Sequence, residues 1–462
     1  MSESVKGSPL ISPGKGREPG APALLAVCLG FFMVLLDASA LNVSLPRIQE
    51  EFDTTLSGLE WTVNGYAIAM AACLMGGGAI GDKWGPRRVF LLSQALFVLS
   101  SVACAASPGL GALVAARIVQ GIAAGGLLPA SLAVIAHLYR DEAARARALT
   151  VWGGVSSLAL VLGPVVGGAL TSAAGWRSIF LINLPVGLLA VVLTLRHVPP
   201  SPVRAARLDL AGQLTVALAV GCGVGALIEG GAAGWTRPLT LALIGGTLLS
   251  AAAFPLVEAR AANPVVPLDL FRNTRFLAGL TLGALFQYGA YGAQFVLSLH
   301  LQNVWGLDAL GAGLSFVPFA VTWTIASFWL ARLVTRTGPR PLVLAGSSIA
   351  ALGACVLAAT PDHRNWWILI AGSCLLGLGA GLMGPSLPAL ALGALPPARS
   401  GLASGALNAF RQIGGAVGVA LFGALVANTA RGTGLRLSLA LVAVGFVACL
   451  PVVVRGLAAR PR

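Results

Sequence analysis

The stretch GAIGDKWGPRR, residues 78–88, decides the fold, because it joins two apolar runs through a short basic turn and is partly repeated later in the chain. The runs beside it, near 59–79 and 88–106, are each about 20 residues long, which is enough to cross roughly 30 Å of hydrocarbon. Its Gly-Pro-Arg sequence occurs again 253 positions later, at 338–340, between two further apolar runs. The stretch therefore predicts two membrane helices joined by a tight turn, in a chain with two related halves.

The composition of the chain defines its class. Of 462 residues, 57% are apolar and 10% are charged, and the mean hydropathy is +0.86; a soluble domain is typically about 25% charged. These values exclude a disordered chain and a soluble enzyme, and they predict an all-α integral membrane protein. The length rule predicts fourteen spans, near residues 22–44, 59–79, 88–106, 110–136, 148–172, 178–196, 209–230, 237–257, 276–300, 309–332, 341–359, 366–391, 401–429 and 435–455.

The repeat organises these spans into units. The 253-residue offset carries the start of the first span to the start of the ninth, so spans one to six and nine to fourteen are predicted to be related halves. Such symmetry is typical of transporters, whose substrate path lies between the halves. The predicted units are a cytoplasmic tail (1–21), an N-terminal six-helix half (22–196), a linker with two inserted helices (197–257), a C-terminal six-helix half with its preceding loop (258–455) and a cytoplasmic tail (456–462).

The charge distribution predicts the orientation and excludes nucleic acid as a partner. The net charge is +14, but the basic residues form short clusters between apolar runs instead of one continuous stripe. With the N-terminus inside, the cytoplasmic segments hold 22 Lys and Arg and the external segments hold six, so both termini are predicted to be cytoplasmic. The sequence has no nucleotide-binding loop, hydrolase motif or metal-ligand spacing, so we expect no metal and no cofactor.

Several motifs carry a resemblance to a known family. Residues 78–88 resemble the loop signature of the major facilitator superfamily, and RIVQG at 117–121 is similar to its fourth-helix motif. GPVVGG at 163–168 resembles the fifth-helix motif of its antiporters, although Ala159 stands where the longer pattern expects glycine. The chain further resembles the fourteen-helix drug:proton antiporters, including methylenomycin-type exporters, at Leu36-Asp37, residues 42–46, Trp176-Arg177, Phe180, Asn183, Pro185 and Gly187. The resemblance implies the major facilitator fold, with two six-helix halves plus two inserted helices.

Asp37 is the most informative single residue. It lies about 14 residues into the first span, roughly 20 Å from the cytoplasmic side, where a carboxylate is costly unless it is paired or faces water. Arg117 in the fourth span has about the same depth, so we expect the two to pair and to carry the coupling proton. The alternatives are a packing or capping role for Asp37 and a strut bonded to backbone carbonyls for Arg117. No other acid lies clearly deep within a span.

The turn after the second span is predicted to be a cytoplasmic gate. The resemblance implies a latch that holds the outward-facing state, in which glycines permit a tight turn and Asp82 accepts hydrogen bonds from loop arginines. A solvated turn is the alternative. The gate residues are Gly78, Asp82, Gly85, Arg87 and Arg88.

The antiporter-like motif of the fifth span has a backbone explanation. Its proline removes one helical hydrogen bond, and its small residues permit close helix contact or a kink. The resemblance implies that this kink controls leak and exchange, whereas ordinary small-residue packing is the alternative. The motif residues are Gly163, Pro164, Gly167 and Gly168.

Polar and aromatic residues within the spans are candidates for the substrate pocket. Those of the ninth span are spaced so that neighbouring points fall on one helix face. Helix–helix hydrogen bonding or interfacial anchoring is the alternative for each. The candidates are Asn42, Asn64, Tyr66, Gln120, Gln287, Tyr291, Gln294, Trp323 and Arg411.

Taken with the resemblance, these features predict a transporter and not an enzyme. We expect a monomeric, proton-coupled antiporter in the cytoplasmic membrane that exports an amphipathic drug or antibiotic. Because only Asp37 is clearly embedded, neutral or monocationic substrates are expected in preference to dications. The alternatives are a carrier of an endogenous metabolite or lipid, and a non-transporting membrane receptor on the same fold.

Overall fold

The structure of the chain is a computed structural model. It describes residues 20–201, 203, 209–261, 264, 266–396, 399–430 and 432–456. Most of the two predicted tails and residues 204–208 of the predicted linker lie outside the described residues.

The described chain is built from long α-helices, because a backbone in lipid must satisfy its hydrogen bonds within its own segment. Five of the helices begin at an Asp or Asn N-cap whose side chain accepts from the first turn. The helices are α1 (Ala21–Phe52), α2 (Leu56–Trp84), α3 (Pro86–Ala105), α4 (Leu110–Leu138), α5 (Glu142–Ala174), α6 (Ser178–Leu181), α7 (Asn183–His197), α8 (Leu210–Ala233), α9 (Pro238–Arg260), α10 (Thr274–Asn303), α11 (Ala309–Ser315), α12 (Val317–Thr337), α13 (Pro339–Ala358), α14 (Trp366–Leu392), α15 (Ser400–Asn428) and α16 (Thr433–Gly456).

These helices account for the fourteen predicted spans. Twelve segments of the described chain are long and apolar enough to cross a membrane, and α2 and α10, with 29 and 30 residues, occupy the other two predicted positions. Two spans are interrupted by a single residue, at Ile182 between α6 and α7 and at Phe316 between α11 and α12. The fold is therefore all-helical, as predicted.

The structure moves several predicted span boundaries, and two of these changes lie beside predicted functional residues. α1 continues eight residues beyond the predicted end at residue 44, passes Pro46 and stops at Asp53, which adopts a left-handed conformation with φ 44°. An ion pair between Arg47 and Glu50, one turn apart, supports this extension. α2 continues to Trp84, so part of the predicted loop, including Asp82, is helical.

The two halves share a turn that the sequence repeat marks. Gly85 between α2 and α3 has φ 86°, and Gly338 between α12 and α13 has φ 77°, values that favour glycine. The arginines two residues later make equivalent contacts: Arg87 Nη2 donates to a carbonyl oxygen near the end of α7 at 3.0 Å, and Arg340 Nη2 donates to one near the end of α16 at 3.4 Å. The repeat therefore extends from the sequence to the side-chain contacts.

Among the described residues, the hydrogen bonds that join the two halves lie mostly at one end of the bundle. We call the end where α1 ends and α2 begins the outer end, and the end where α2 ends and α3 begins the inner end, following the predicted orientation. Among the described residues, four hydrogen bonds join the halves at the outer end, and one further contact lies mid-bundle. They are Ser298 Oγ to Asn42 O (2.8 Å), Gln302 Nε2 to Val43 O (3.0 Å), Leu310 N to Ser172 Oγ (3.2 Å), Ser172 Oγ to Asp308 Oδ2 (3.4 Å) and, mid-bundle, Gln412 Nε2 to Met70 Sδ (3.1 Å).

The inserted helices lie at the side of the bundle. α8 contacts α2 of the first half and α15 of the second, whereas α9 contacts α8. Gly225 of α8 packs against the Trp61 ring, and Asn428 Nδ2 donates to Gly231 O at 2.6 Å. α8 thus touches both halves at the outer end.

Candidate functional site

Asp37 is held in a buried network of three hydrogen-bond donors. Its side chain is 2% exposed. Oδ2 accepts from Arg117 Nη1 at 2.5 Å, while Oδ1 accepts from Asn183 Nδ2 at 2.9 Å and from Gln120 Nε2 at 3.1 Å. Both carboxylate oxygens thus have hydrogen-bond partners, as a buried acidic side chain requires. The structure therefore brings Asp37 and Arg117 into direct contact.

Arg117 is the largest fully buried side chain in the described part of the chain. Besides its bond to Asp37, it donates from Nε to Thr62 O at 3.3 Å and from Nη1 to Gln120 Oε1 at 2.7 Å. Its guanidinium lies 4.2 Å from the centroid of the Tyr66 ring. Arg117 therefore pairs with Asp37 and at the same time donates to a backbone carbonyl of α2, so both contacts considered for it from the sequence are present.

Glycines bring α4 close enough to α2 for these contacts. A Cβ atom at Gly125 would lie 2.8 Å from the Met70 carbonyl oxygen, and one at Gly121 would collide with the Tyr66 carbonyl. Close approach of two helix backbones requires such small residues. The RIVQG motif thus places both the arginine and the glycine that gives it access to α2.

Sequence reasoning missed two parts of the network. Gln120, predicted to bind substrate, lies entirely buried against Asp37 and also approaches Ser101 Oγ at 3.3 Å. Asn183, noticed only as part of a family resemblance, bridges Asp37 and Ser101 Oγ with bonds of 2.9 Å each. The sequence signal for both is an amide side chain at the depth of a charged residue within the membrane, where hydrogen bonding to that charge is its expected role.

A cavity of about 540 Å³, including its opening, lies between the halves beside this network. Of the predicted substrate residues, Asn42, Asn64, Tyr66 and Tyr291 line it. The remaining lining residues are Val34, Leu35, Ala38, Val63, Ala67, Met70, Arg117, Gln412, Gly415, Ala416 and Val419. The walls are thus mostly apolar, with a few polar groups, as expected for a small-molecule site.

The other predicted substrate residues lie outside the lining of this cavity. Trp323 packs edge-on against Phe286 and Phe319, with ring centroids 5.7 and 5.3 Å apart. Gln287 is 7% exposed and accepts from Arg411 Nη2 at 3.3 Å. Gln294 lies on α10 one turn beyond Tyr291 and is half-buried.

The antiporter-like motif lies directly against the helix that carries Asp37. A Cβ atom at Gly167 would lie 2.7 Å from the Ala40 carbonyl oxygen, and one at Gly163 would collide with the Ser39 hydroxyl. Gly168 faces the second half, because a Cβ added there would lie 2.9 Å from the Ala309 carbonyl carbon in α11. Pro164, inside α5, presents its carbonyl to Gly313 of α11. The motif therefore joins α5 to α1 and to the second half.

Among the described residues, the predicted gate makes no hydrogen bond or ion pair with the second half. Gly85 closes the turn with its N–H donating to Gly81 O at 2.9 Å. Arg87 bonds within its own half, and Arg88 and Asp82 are exposed. Asp82 forms no hydrogen bond or ion pair with a described residue, and Gly78 lies near the inner end of α2. The role of these residues as a latch across the halves therefore stays a prediction.

Two acids near the ends of spans are also buried, Glu60 in α2 and Glu258 in α9, so burial is not confined to Asp37. Glu60, in the first turns of α2, is 2% exposed. Its carboxylate occupies the space beside Gly423 of α15, because a Cβ added at Gly423 would lie 2.5 Å from Cδ of Glu60. Glu229 of α8 accepts from Trp61 Nε1 at 3.2 Å beside it. The burial of Glu60 depends on Gly423 in the other half, and this contact could not be predicted from the position of Glu60 near the edge of a span.

Two related helical halves with a cavity between them and a buried acid–base pair beside it define a polytopic membrane transporter. The sequence profile described as Major Facilitator Superfamily matches residues 27–419 and 279–458. The chain is 35% identical to a methylenomycin A resistance protein of Bacillus subtilis over 409 residues, 88% of each chain. The chain belongs to the Major Facilitator Superfamily, and it is a transporter and not an enzyme.

Two further similarities agree with this assignment. The chain is 38% identical to the multidrug resistance protein Stp of Mycobacterium tuberculosis over 406 residues, 87% of this chain and 75% of that protein. The crystal structure of the human organic anion transporter MFSD10 superposes with a TM-score of 0.67 at 17% identity, over 95% of this chain and all of that one. The latter supports the fold alone.

Proposed function

We propose that the protein is a proton-coupled antiporter that exports amphipathic drugs or antibiotics across the cytoplasmic membrane. Relatives that cover most of the chain are named resistance proteins for methylenomycin A and for multiple drugs, which supports a drug exporter. The observation that carries the coupling is the buried Asp37–Arg117 pair beside the cavity. Both termini are proposed to be cytoplasmic, and each chain supplies both halves, so a monomer suffices.

The proposed role of the pair follows from its position. Arg117 lines the cavity, and Asp37 lies behind it, bonded to donors of its own half. A proton that neutralises Asp37 frees Arg117 from its partner and places an unpaired positive charge at the cavity wall. Proton binding therefore changes the charge at the wall of the cavity that the substrate occupies, which makes substrate binding sensitive to protonation.

The proposed transport cycle uses the contacts at the outer end. Gly168 against Ala309, and Ser172 against Leu310, join the halves there. Outward opening must break these contacts, and rocking of one half against the other would then expose the cavity alternately. The state described has the outer end closed.

A gradient-dissipation assay tests this function. Everted vesicles with wild type, Asp37→Asn or the control Asp362→Asn, which changes an exposed acid, are given a proton gradient, and a drug panel is then added. We expect some drugs to dissipate the gradient with wild type and the control but not with Asp37→Asn.

Two other results would change the proposal. Equal dissipation by Asp37→Asn would keep antiport but move the proton site away from Asp37. Absence of dissipation by every drug, from folded protein, would refute drug antiport and favour the carrier of an endogenous metabolite.

A further inference from the structure

The cavity between the halves is lined by positive but not by negative charge. Of its described lining residues, Arg117 is charged and none is an acid. Asp37 lies behind Arg117 and has both oxygens occupied by donors. The nearest intramembrane acid therefore offers a cationic substrate no free carboxylate, and a cation that entered the cavity would meet Arg117 instead.

Arg411 supplies a second positive charge, one helical turn from the lining of the cavity. It lies on α15 one helical turn before Gly415, a lining residue on the same face. Its Nη2 donates weakly to Gln287 Oε1 at 3.3 Å, and its guanidinium lies 5.5 Å from the centroid of the Phe286 ring. Its position between α15 and α10 thus leaves it without a strong partner from either helix.

The guanidinium of Arg411 is incompletely satisfied. Nε is buried without a hydrogen-bond partner, and no described carboxylate lies within 4.0 Å of the side chain. Arginine within a membrane is normally paired or faces a wet cavity, and it marks a functional site when it is not. Its free N–H is suited to a carbonyl or carboxylate oxygen of a ligand.

A second unpaired group lies on the opposite wall. Asn64 of α2 is completely buried and lines the cavity, yet neither its amide nitrogen nor its oxygen has a partner among the described residues. The hydroxyl of Tyr66, two residues later, is likewise unpaired. Buried polar groups in native proteins are nearly always bonded, so an orphaned amide in a cavity wall calls for a ligand.

We propose that the cavity selects neutral or anionic amphipathic substrates that carry hydrogen-bond acceptors, with Arg411 receiving a carbonyl or carboxylate oxygen and Asn64 bonding a second polar group. This inference rests on the proposed drug export and narrows its substrate class. It also replaces the expectation of monocationic substrates, because the acid on which that expectation depended is occupied by its own neighbours. The apolar walls, among them Val34 and Val419, would hold the ring system between the two polar points.

Equilibrium binding to purified protein tests the proposal without a proton gradient. The tritiated probes share three rings and differ in charge: anthraquinone-2-carboxylate, its carboxamide, and 2-(aminomethyl)anthraquinone as the ammonium ion. Nanodiscs of phosphatidylcholine avoid competition from anionic lipid, and a parallel set with phosphatidylglycerol detects it. The variants are Arg411→Gln, Arg411→Lys, Asn64→Asp and the control Arg399→Gln, which removes a positive charge outside the cavity.

We expect wild type to bind the carboxylate and the carboxamide at least about tenfold more tightly than the ammonium probe, the factor typical of one lost charge-assisted bond. Arg411→Gln should weaken the carboxylate about tenfold, Arg411→Lys should retain most of the affinity, and Arg399→Gln should change nothing. Asn64→Asp places an acid in the cavity and should favour the ammonium probe.

The proposal is overturned if wild type binds the ammonium probe as tightly as the carboxylate, or if folded Arg411→Gln binds the carboxylate normally. Binding of none of the probes by folded wild type also overturns it. Loss of carboxylate binding only in phosphatidylglycerol would identify an anionic lipid headgroup as the natural occupant and would overturn the drug assignment for this site. The selectivity can hold even where the gradient assay fails, so the two proposals fail separately.

Discussion

Substitution of Gly168 by alanine should open the outer end of the carrier. An added Cβ would lie 2.9 Å from two backbone atoms of α11, at Ala309 and Leu310, and closer still to the Ala309 carbonyl oxygen. Ordinary contact begins at 3.4 Å, so the helices must separate by at least about 0.5 Å, and neither partner is a side chain that could rotate away. Overpacking of this kind typically costs about 1–3 kcal/mol, which corresponds to a shift of roughly 5- to 150-fold between the closed and open states.

Distances between two spin labels, measured by double electron–electron resonance, can detect this shift from the closed to the open state. Spin labels at Ala106→Cys and Ala359→Cys report the outer ends of the two halves, because both residues are exposed and follow the equivalent helices α3 and α13. The seven native cysteines, all unpaired, are first replaced. Gly168→Ala should move the distance distribution toward longer values.

A glycine of the same helix supplies the control. A Cβ at Gly153 of α5 would meet no atom of a described residue within 4 Å, so Gly153→Ala should leave the distribution unchanged. If Gly168→Ala gives the same distribution as Gly153→Ala, the contact between α5 and α11 does not hold the outer end closed, and the account of the closed state is wrong.

Three further substitutions have defined outcomes. Glu60→Gln removes a buried carboxylate beside a second one on α8, so a higher unfolding temperature in a detergent melt is expected, and an unchanged or lower one would contradict the burial argument. Gly85→Ala forces an L-residue to φ 86° and should lower the melting temperature by an amount equivalent to about 1–2 kcal/mol, whereas helical Gly81→Ala, with open space around it, should not. Arg399 lowers the pKa of Asp269 below 3.8, so the pair stabilises the fold above that pH and loses this effect as the pH falls through the lower folded-state pKa. The melting temperatures of Asp269→Asn and wild type, measured over a pH series, should therefore converge in acid. A difference that stays constant with pH would refute the direction of the shift.

The spans could be predicted because the property that defines them is local. The length of an apolar run reflects the thickness of the bilayer, whatever the rest of the chain does. The extension of α1 past Pro46 to Phe52 could not be obtained in this way, because four of the six residues at 47–52 are polar or charged. Their helix is supported by the Arg47–Glu50 pair and by Glu51, which bonds to Arg177.

A contact in the site could be predicted where it depends on the depth of the two residues in the membrane. It could not be predicted where it depends on the rotation of a helix about its own axis. Asp37 and Arg117 were expected at similar depth, and the structure places them in contact. Gln120 lies on the same turn as Arg117, but whether it faces the cavity or the acid depends on how α4 packs against α1 and α2. The burial of Glu60 depends on the absence of a side chain at Gly423, a contact between the two halves that has no local pattern.

The repeat preserves the backbone of the two halves but not their charges, and this division bears on the mechanism. Asp37 lies in the first half, while α10, the equivalent of α1, has no acid; Arg411 lies in the second half. If the substrate binds Arg411 and the proton binds Asp37, the two do not compete for one group, and their exchange depends on the rocking of the halves. An anion leaving and a proton entering both move charge in the direction favoured by a membrane potential that is negative inside, each by about 2.3 kcal/mol per 100 mV. The separation of the two charged sites would therefore let the potential, and not only the pH difference, drive export.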